Sequence, residues 1–248
     1  MKPGIALGTL LAGQIAHAIL RDDLPSLENQ DPSGTFGSRD APPLRIVFLG
    51  DSSVTAPGVE SLDDSWPRQM AIHLSDRFRV EALNVAVGGS RVRDVLDGQV
   101  DEALSLNADI AYVAVGSNDA LRGTRIGQFE HDFNEVVARL HDEIPAIGLS
   151  GIGDLGTIPR IPVLLQGIAR VRARAIDRAI ARVSATYDRA IKSNVWNIMS
   201  IDFVQQPDLF AADLFHASAA GHLAFARVGA PMADALVDLL TTNGHLTN

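Results

Sequence analysis

The stretch RIVFLGDSSVTAPGV, residues 45–59, decides how the chain is read. Ile46 to Gly50 form a short apolar run that ends in glycine, the pattern of a strand buried on both faces. An acid and two serines follow at once, Asp51, Ser52 and Ser53. Gly-Asp-Ser is also a common turn composition. The stretch alone therefore leaves open whether it is a turn or carries a nucleophile.

The rest of the chain repeats the strand pattern. Apolar runs at 44–50, 80–87, 110–116, 146–152 and 195–201 read as five strands. Between them lie stripes at helical spacing. The first is Val92, Val95, Leu96, Val100, Ala103 and Leu104, and the second is Ile126, Phe129, Phe133, Val136, Val137 and Leu140. The third is Ile168, Val171, Ile176, Ile180 and Val183, and the fourth is Leu223, Val228, Met232, Leu236 and Leu240. Such stripes read as core faces. The alternation predicts a three-layer α/β/α domain with about five parallel strands over residues 44–248. Ligand sites in such sheets lie at the carboxyl ends of the strands.

Residues 1–20 and 21–43 stand apart. The run from Gly4 to Leu20 is apolar and shorter than the roughly 20 residues that span a bilayer. AHA at residues 16–18 fits the cleavage site of a secretory leader. The same run also fits an amphipathic helix docked on the domain or lying on a membrane surface. Export or membrane association is favoured over a cytoplasmic location on this ground. Residues 21–43, polar and rich in Pro, Gly, Asp and Ser, read as a linker.

Composition narrows the chemistry. At 248 residues one large domain is expected, and the net charge of −9 argues against nucleic-acid binding. The chain has no cysteine, which excludes disulfides, thiol catalysis and thiolate metal sites. Its seven histidines form no metal-ligand spacing.

Four segments at the predicted strand ends share one chemistry. They are GDSS at 50–53, NVAVGGSRV at 84–92, GSND at 116–119 and ADLFHASAAGH at 212–222. A serine hydroxyl needs a base, and His216 supplies one, with Asp213 three residues earlier to orient its ring. A tetrahedral intermediate also needs oxyanion donors. The Ser52 backbone N–H, a glycine N–H after the second strand, and the Asn118 amide can supply them.

Taken together, Gly50-Asp51-Ser52, Gly89, Gly116-Ser117-Asn118-Asp119 and Asp213-Leu214-Phe215-His216 resemble the four ordered blocks of the GDSL, or SGNH, hydrolase family. The resemblance covers about residues 44–237. It implies a flavodoxin-like fold, no metal or other cofactor, and hydrolysis or transfer of the acyl group of a small-molecule or lipid ester. It makes Ser52 the nucleophile, His216 the base, Asp213 its partner, and Ser52, Gly89 and Asn118 the oxyanion donors. Of the adjacent Gly88 and Gly89, the second matches the family position. Ser53 departs from the leucine of the family name.

Rival readings are weaker. GLSGI at 148–152 lacks the final glycine of G-x-S-x-G, so Ser150 is not a nucleophile elbow, and no P-loop pattern occurs. A non-catalytic module holding phosphate on Ser52, Ser53 and Thr55 explains nothing about Asp213 and His216. An acyltransferase would use the same triad. Two basic features bear on substrate. Arg91 and Arg93 flank the second block, as an exposed turn or as a contact to an anionic group. Arg170, Arg174, Arg178 and Arg182 make an i, i+4 stripe, a solvated face or a contact to anionic lipid. GTIPRIPVLLQG, 156–167, reads as a lid, an acyl-chain wall or plain packing.

Overall fold

The computed structural model describes residues 23–245; the apolar segment 1–20 lies outside them. The core is a six-stranded sheet: β1 Gly34–Phe36, β2 Pro43–Gly50, β3 Arg79–Asn84, β4 Ile110–Ala114, β5 Ala146–Leu149 and β6 Ala190–Lys192. The order is β1-β3-β2-β4-β5-β6, so five strands run parallel and β1 pairs antiparallel with β3 at one edge. The parallel strands alone follow the doubly wound order 2-1-3-4-5.

Side-chain alternation along the strands divides the core in two. Leu44, Ile46, Phe48, Ile110 and Tyr112 face one side, and Val47, Leu49, Ala111 and Val113 face the other. The first face is covered by α1 and two longer helices: α1 is Ser52–Thr55, α2 is Trp66–Leu74, and the C-terminal helix is Ala219–Thr242. The other face is covered by a helical run at 92–105 (α3), by Ser117–Arg122 (α4), Ile126–Glu143 (α5) and Val163–Ser184 (α6). The C-terminal helix is therefore α7. The run 92–105 contains one π turn, at Val95–Gln99. Among the described residues no helix is long and apolar enough to cross a membrane.

Three expectations need correction. Residues 195–201 are not the last strand. The strand is Ala190–Lys192, and a helical turn runs through Ile198–Asp202. Val195, Ile198, Met199 and Phe203 are all buried at spacings of three and four, and a short apolar run does not separate a strand from a buried helical turn. The stretch 21–43 does not stay a linker along its length. Gly34–Phe36 joins the sheet. Gln30 Nε2 donates to Val59 O at 2.7 Å, and Arg68 donates to the carbonyls of Pro32 and Ser33. The signal was faint because the strand is three residues long.

The third correction concerns α6. Ile168 and Val171 are 55% and 69% exposed, with Val163 and Leu164 open beside them. The buried stripe runs instead through Ala169, Ala173, Ile176, Ile180 and Val183. Ile176, Ile180 and Val183 are buried as expected, but small alanines hold the first half of the buried face, so a stripe drawn through the largest residues took in the exposed Ile168 and Val171. In α5 the expected stripe is the buried one, and Phe129 stacks on Phe133 with ring centroids 5.4 Å apart.

This difference is measurable. Phe133→Ala removes a fully buried ring and is expected to cost about 3–5 kcal/mol in urea unfolding. Val171→Ser is expected to change stability by no more than about 0.5 kcal/mol.

Candidate active site

Gly50 ends β2 with φ +145°, and a Cβ there would stand 2.0 Å from the carbonyl oxygen of Ala114. No side chain fits, so glycine lets β2 leave the sheet beside β4. Gln99 clamps this point. Its Oε1 accepts from Gly50 N at 2.7 Å, and its Nε2 donates to Gly50 O at 2.9 Å and to Ser90 Oγ at 3.2 Å. A buried side-chain amide thus pairs the Gly50 N–H that no strand pairs, and adds a second donor to a carbonyl that already accepts from Val87 N at 3.2 Å.

Asp51 caps α1. Its Oδ1 accepts from Ser53 N at 2.9 Å, and Asn118 Nδ2 approaches its Oδ2 at 3.3 Å. The carboxyl is buried, and burial raises its pKa against the pull of those bonds. Asp51 therefore serves the turn and is not hydrogen-bonded to His216. Ser52 is. Its Oγ lies 3.2 Å from His216 Nε2, and His216 Nδ1 lies 2.6 Å from Asp213 Oδ2. Ser53 is exposed, and its carbonyl accepts from Trp66 Nε1 at 2.6 Å.

The loop carrying His216 is built around Asp213. Its Oδ1 accepts from the N–H groups of Phe215 and His216, both at 3.0 Å, while Leu214, between Asp213 and Phe215, sits at φ +59°. Phe210 and Ala217 bridge the base of the loop, and Leu214 O accepts from Arg160 N at 3.0 Å. Burial raises the Asp213 pKa, but the His216 ring and the two N–H donors outweigh it and hold the carboxyl below its ordinary value. It stays ionised at neutral pH beside the imidazole.

The remaining predicted residues converge on the same edge. Gly89 has φ +83°, a conformation that favours glycine, whereas a Cβ on Gly88 would strike the Asn29 side chain. Among the described residues the N–H groups of Ser52 and Gly89 have no acceptor. Asn118 differs: its Nδ2 donates to Ser90 O at 3.1 Å and reaches Asp51, so both protons are engaged. Asp119 caps a neighbour rather than its own helix. It is buried in α4, and its Oδ2 accepts from Val92 N at 2.9 Å, tying the GSND block to the start of α3.

The site opens into a cavity of about 1110 Å3, mouth included. Leu155 and Ile158 form part of its wall, so the segment at 156–167 contributes one wall residue, while Val163 and Leu164 face out. Ser150 also lines the cavity, but its hydroxyl bonds to Gly151 O. Arg91 and Arg93 are exposed beside Asp94 and Asp97. Three arginines of the α6 stripe have partners within the chain: Arg170 with Asp154, Arg174 with Asp177 and the Trp196 ring, and Arg182 with Glu130. Among the described residues no cluster of three His, Cys, Asp or Glu could hold a metal ion.

Two site residues were missed. Gln99 is a polar residue four places after Val95 on the core stripe of α3, and that misplaced polarity was its signal. His222 is buried in α7 and lines the cavity, and its Nδ1 accepts from Trp66 N at 3.4 Å. A single histidine at the start of a helix offered no such signal.

Both make predictions. Gln99→Leu leaves the buried Gly50 N–H unpaired, while Gly50 O keeps the N–H of Val87 at 3.2 Å, so urea unfolding should show a loss of about 1–3 kcal/mol. Burial and then the His216 charge push the His222 pKa down to about 4. An unfolded imidazole titrates near 6.5, so the unfolded chain binds more proton between those values. Stability is complete above about 6.5 and falls by up to roughly 3 kcal/mol as pH drops to about 4. His222→Gln should flatten that part of a stability-against-pH curve.

Comparison with known proteins matches these features. A family model described as the GDSL-like Lipase/Acylhydrolase family matches residues 48–224. No curated protein sequence matches the chain. Among solved structures, LAE5, an alpha/beta hydrolase enzyme from the metagenome of Lake Arreo, Spain, is 21% identical with a TM-score of 0.64, covering 79% of this chain and 97% of its own. Axe2, an acetylxylan esterase from Geobacillus stearothermophilus, is 15% identical with a TM-score of 0.64, over 79% of this chain and 96% of its own. TesA is 19% identical with a TM-score of 0.62, over 77% and 99%. At these identities the structures speak for the fold, an α/β sheet flanked by helices, and the family match speaks for the chemistry. With its four sequence blocks gathered at one sheet edge and the family model spanning residues 48–224, the chain belongs to the GDSL-like lipase/acylhydrolase family and is a carboxylic ester hydrolase.

Proposed function

We propose that this chain cleaves carboxylic esters through an acyl-enzyme on Ser52. The observation that carries the reading is the continuous hydrogen-bond chain from Ser52 Oγ through the His216 ring to Asp213, 3.2 and 2.6 Å, at the mouth of the cavity.

Ser52 Oγ attacks the ester carbonyl as its proton passes to His216 Nε2. Asp213 stays ionised and steadies the imidazolium through Nδ1. The carbonyl oxygen becomes an oxyanion and takes hydrogen bonds from the uncommitted N–H groups of Ser52 and Gly89. Asn118 joins them by turning one amide proton away from Asp51, the longer of its two bonds. Collapse of the intermediate breaks the bond to the leaving oxygen, which takes the proton from His216 and departs as the alcohol. Water then gives a proton to His216 Nε2 and attacks the acyl carbon. Ser52 is regained with its proton, and the carboxylic acid leaves.

Ser52→Ala should lower kcat on aryl esters by roughly 10,000-fold or more, whereas Ser53→Ala should stay close to the parent. An alkyl fluorophosphonate should add one adduct, mapped by peptide mass to Ser52. An adduct on Ser53, or a Ser52→Ala protein with near-parental kcat, contradicts the assignment.

A further inference from the structure

The cavity does not stop at the reacting atoms. From Ser52 and His216 it continues over the sheet edge, into the layer between the sheet and the helices α2 and α7. There its wall is Trp66, Met70, Tyr112, Phe225, Gly229 and Met232. Ala114 pairs with Gly50 at the edge, and Tyr112 sits two residues earlier on β4. At about 3.3 Å per residue, its Cα lies roughly 7 Å below the edge where Ser52 emerges. An acetyl group ends one carbon beyond the carbonyl and would leave that depth empty.

Gly229 marks the chamber as built. A glycine inside a helix is less favourable than alanine. Here a Cβ would come 2.9 Å from Met70 Sδ, so its absence leaves the methionine room beside the chamber. Met70 and Met232 are unbranched, adaptable side chains that conform to a flexible ligand. The wall is otherwise apolar except for the Tyr112 hydroxyl, which has no partner among the described residues, and neutral His222. Phe48 stacks on Tyr112 with centroids 5.5 Å apart and holds the ring in place.

We propose that this chamber receives the acyl chain of the substrate, and that the chain is a medium-length aliphatic one rather than acetyl. The alcohol then leaves from the open side, where Ser53 and Val87 are exposed. The inference rests on Ser52 being the acyl-accepting nucleophile. Gly229 and Met70 act as specificity residues, because a methylene buried here contributes only when the acyl chain is long enough to reach them. Two buried methylenes are worth roughly tenfold in kcat/KM.

The test is kcat/KM for the p-nitrophenyl esters of acetate, octanoate and palmitate on the full chain. The parent should favour octanoate over acetate by at least about tenfold. Gly229→Leu, which fills the chamber, should lower the octanoate-to-acetate ratio by at least about tenfold while acetate turnover is retained. Met70→Ala, which enlarges it, should shift preference from octanoate toward palmitate. A parent that turns over acetate at least as well as octanoate overturns the proposal, as does Gly229→Leu lowering both esters equally. Loss of all ester turnover in the parent, with no fluorophosphonate adduct, is a different result: it overturns the hydrolytic reading itself.

Discussion

The close approach of Gly50 to the carbonyl of Ala114 is the constraint on which the rest depends. The Ala114 carbonyl oxygen lies 2.0 Å from where a Cβ on Gly50 would sit, so only glycine lets β2 end there. The chain turns there, and the next residues leave the sheet as an N-cap and a short helix. Asp51 takes the cap and Ser52 becomes the first helical residue, with its N–H left without an acceptor. Gln99 holds the turning point from the opposite layer, and through Ser90 it reaches the loop that carries Gly89.

The other segments are fastened to this point by buried polar groups rather than by apolar packing. Asp119 grips the start of α3 through Val92 N, and Arg172 donates to Ala120 O and Thr124 O at the end of α4. Asp213 gathers two backbone donors and the His216 ring. Buried carboxyls are costly unless bonded in this way. The cost is offset here by placing four chain-distant segments within hydrogen-bond reach, which apolar contacts do less sharply because they lack direction.

The apolar chamber follows from the same layering. Residues facing α2 and α7 complete one core, and where the strands end that core is not closed. The space left between Trp66, Met70 and Met232 is continuous with the site. Core and chamber are therefore the same surface, sealed in one part and open in another.

Much of this was legible in the chain itself. The apolar runs at 44–50, 80–87, 110–116 and 146–152 announce parallel strands because both of their faces are buried, and glycines mark where two of them end. The blocks around Ser52, Asn118, Asp213 and His216 announce their chemistry because those side chains have few other uses in that order. Three elements escaped for physical reasons, one of them the three-residue strand Gly34–Phe36 inside the polar stretch 21–43. The strand Ala190–Lys192 is too short for a pattern, while the neighbouring apolar run is a helical turn of the same composition. The buried stripe of α6 begins with Ala169 and Ala173, so side-chain size pointed to the exposed Ile168 and Val171 in its first half. Sequence by itself thus determined the layered fold and the four family blocks, since both are written in residue type and local period. Tertiary structure alone decided that Gln99 clamps Gly50, that Asn118 is shared between Asp51 and Ser90, and that the cavity extends toward Met70 and Gly229. Each of those depends on contacts between residues far apart in the chain, which no local pattern records.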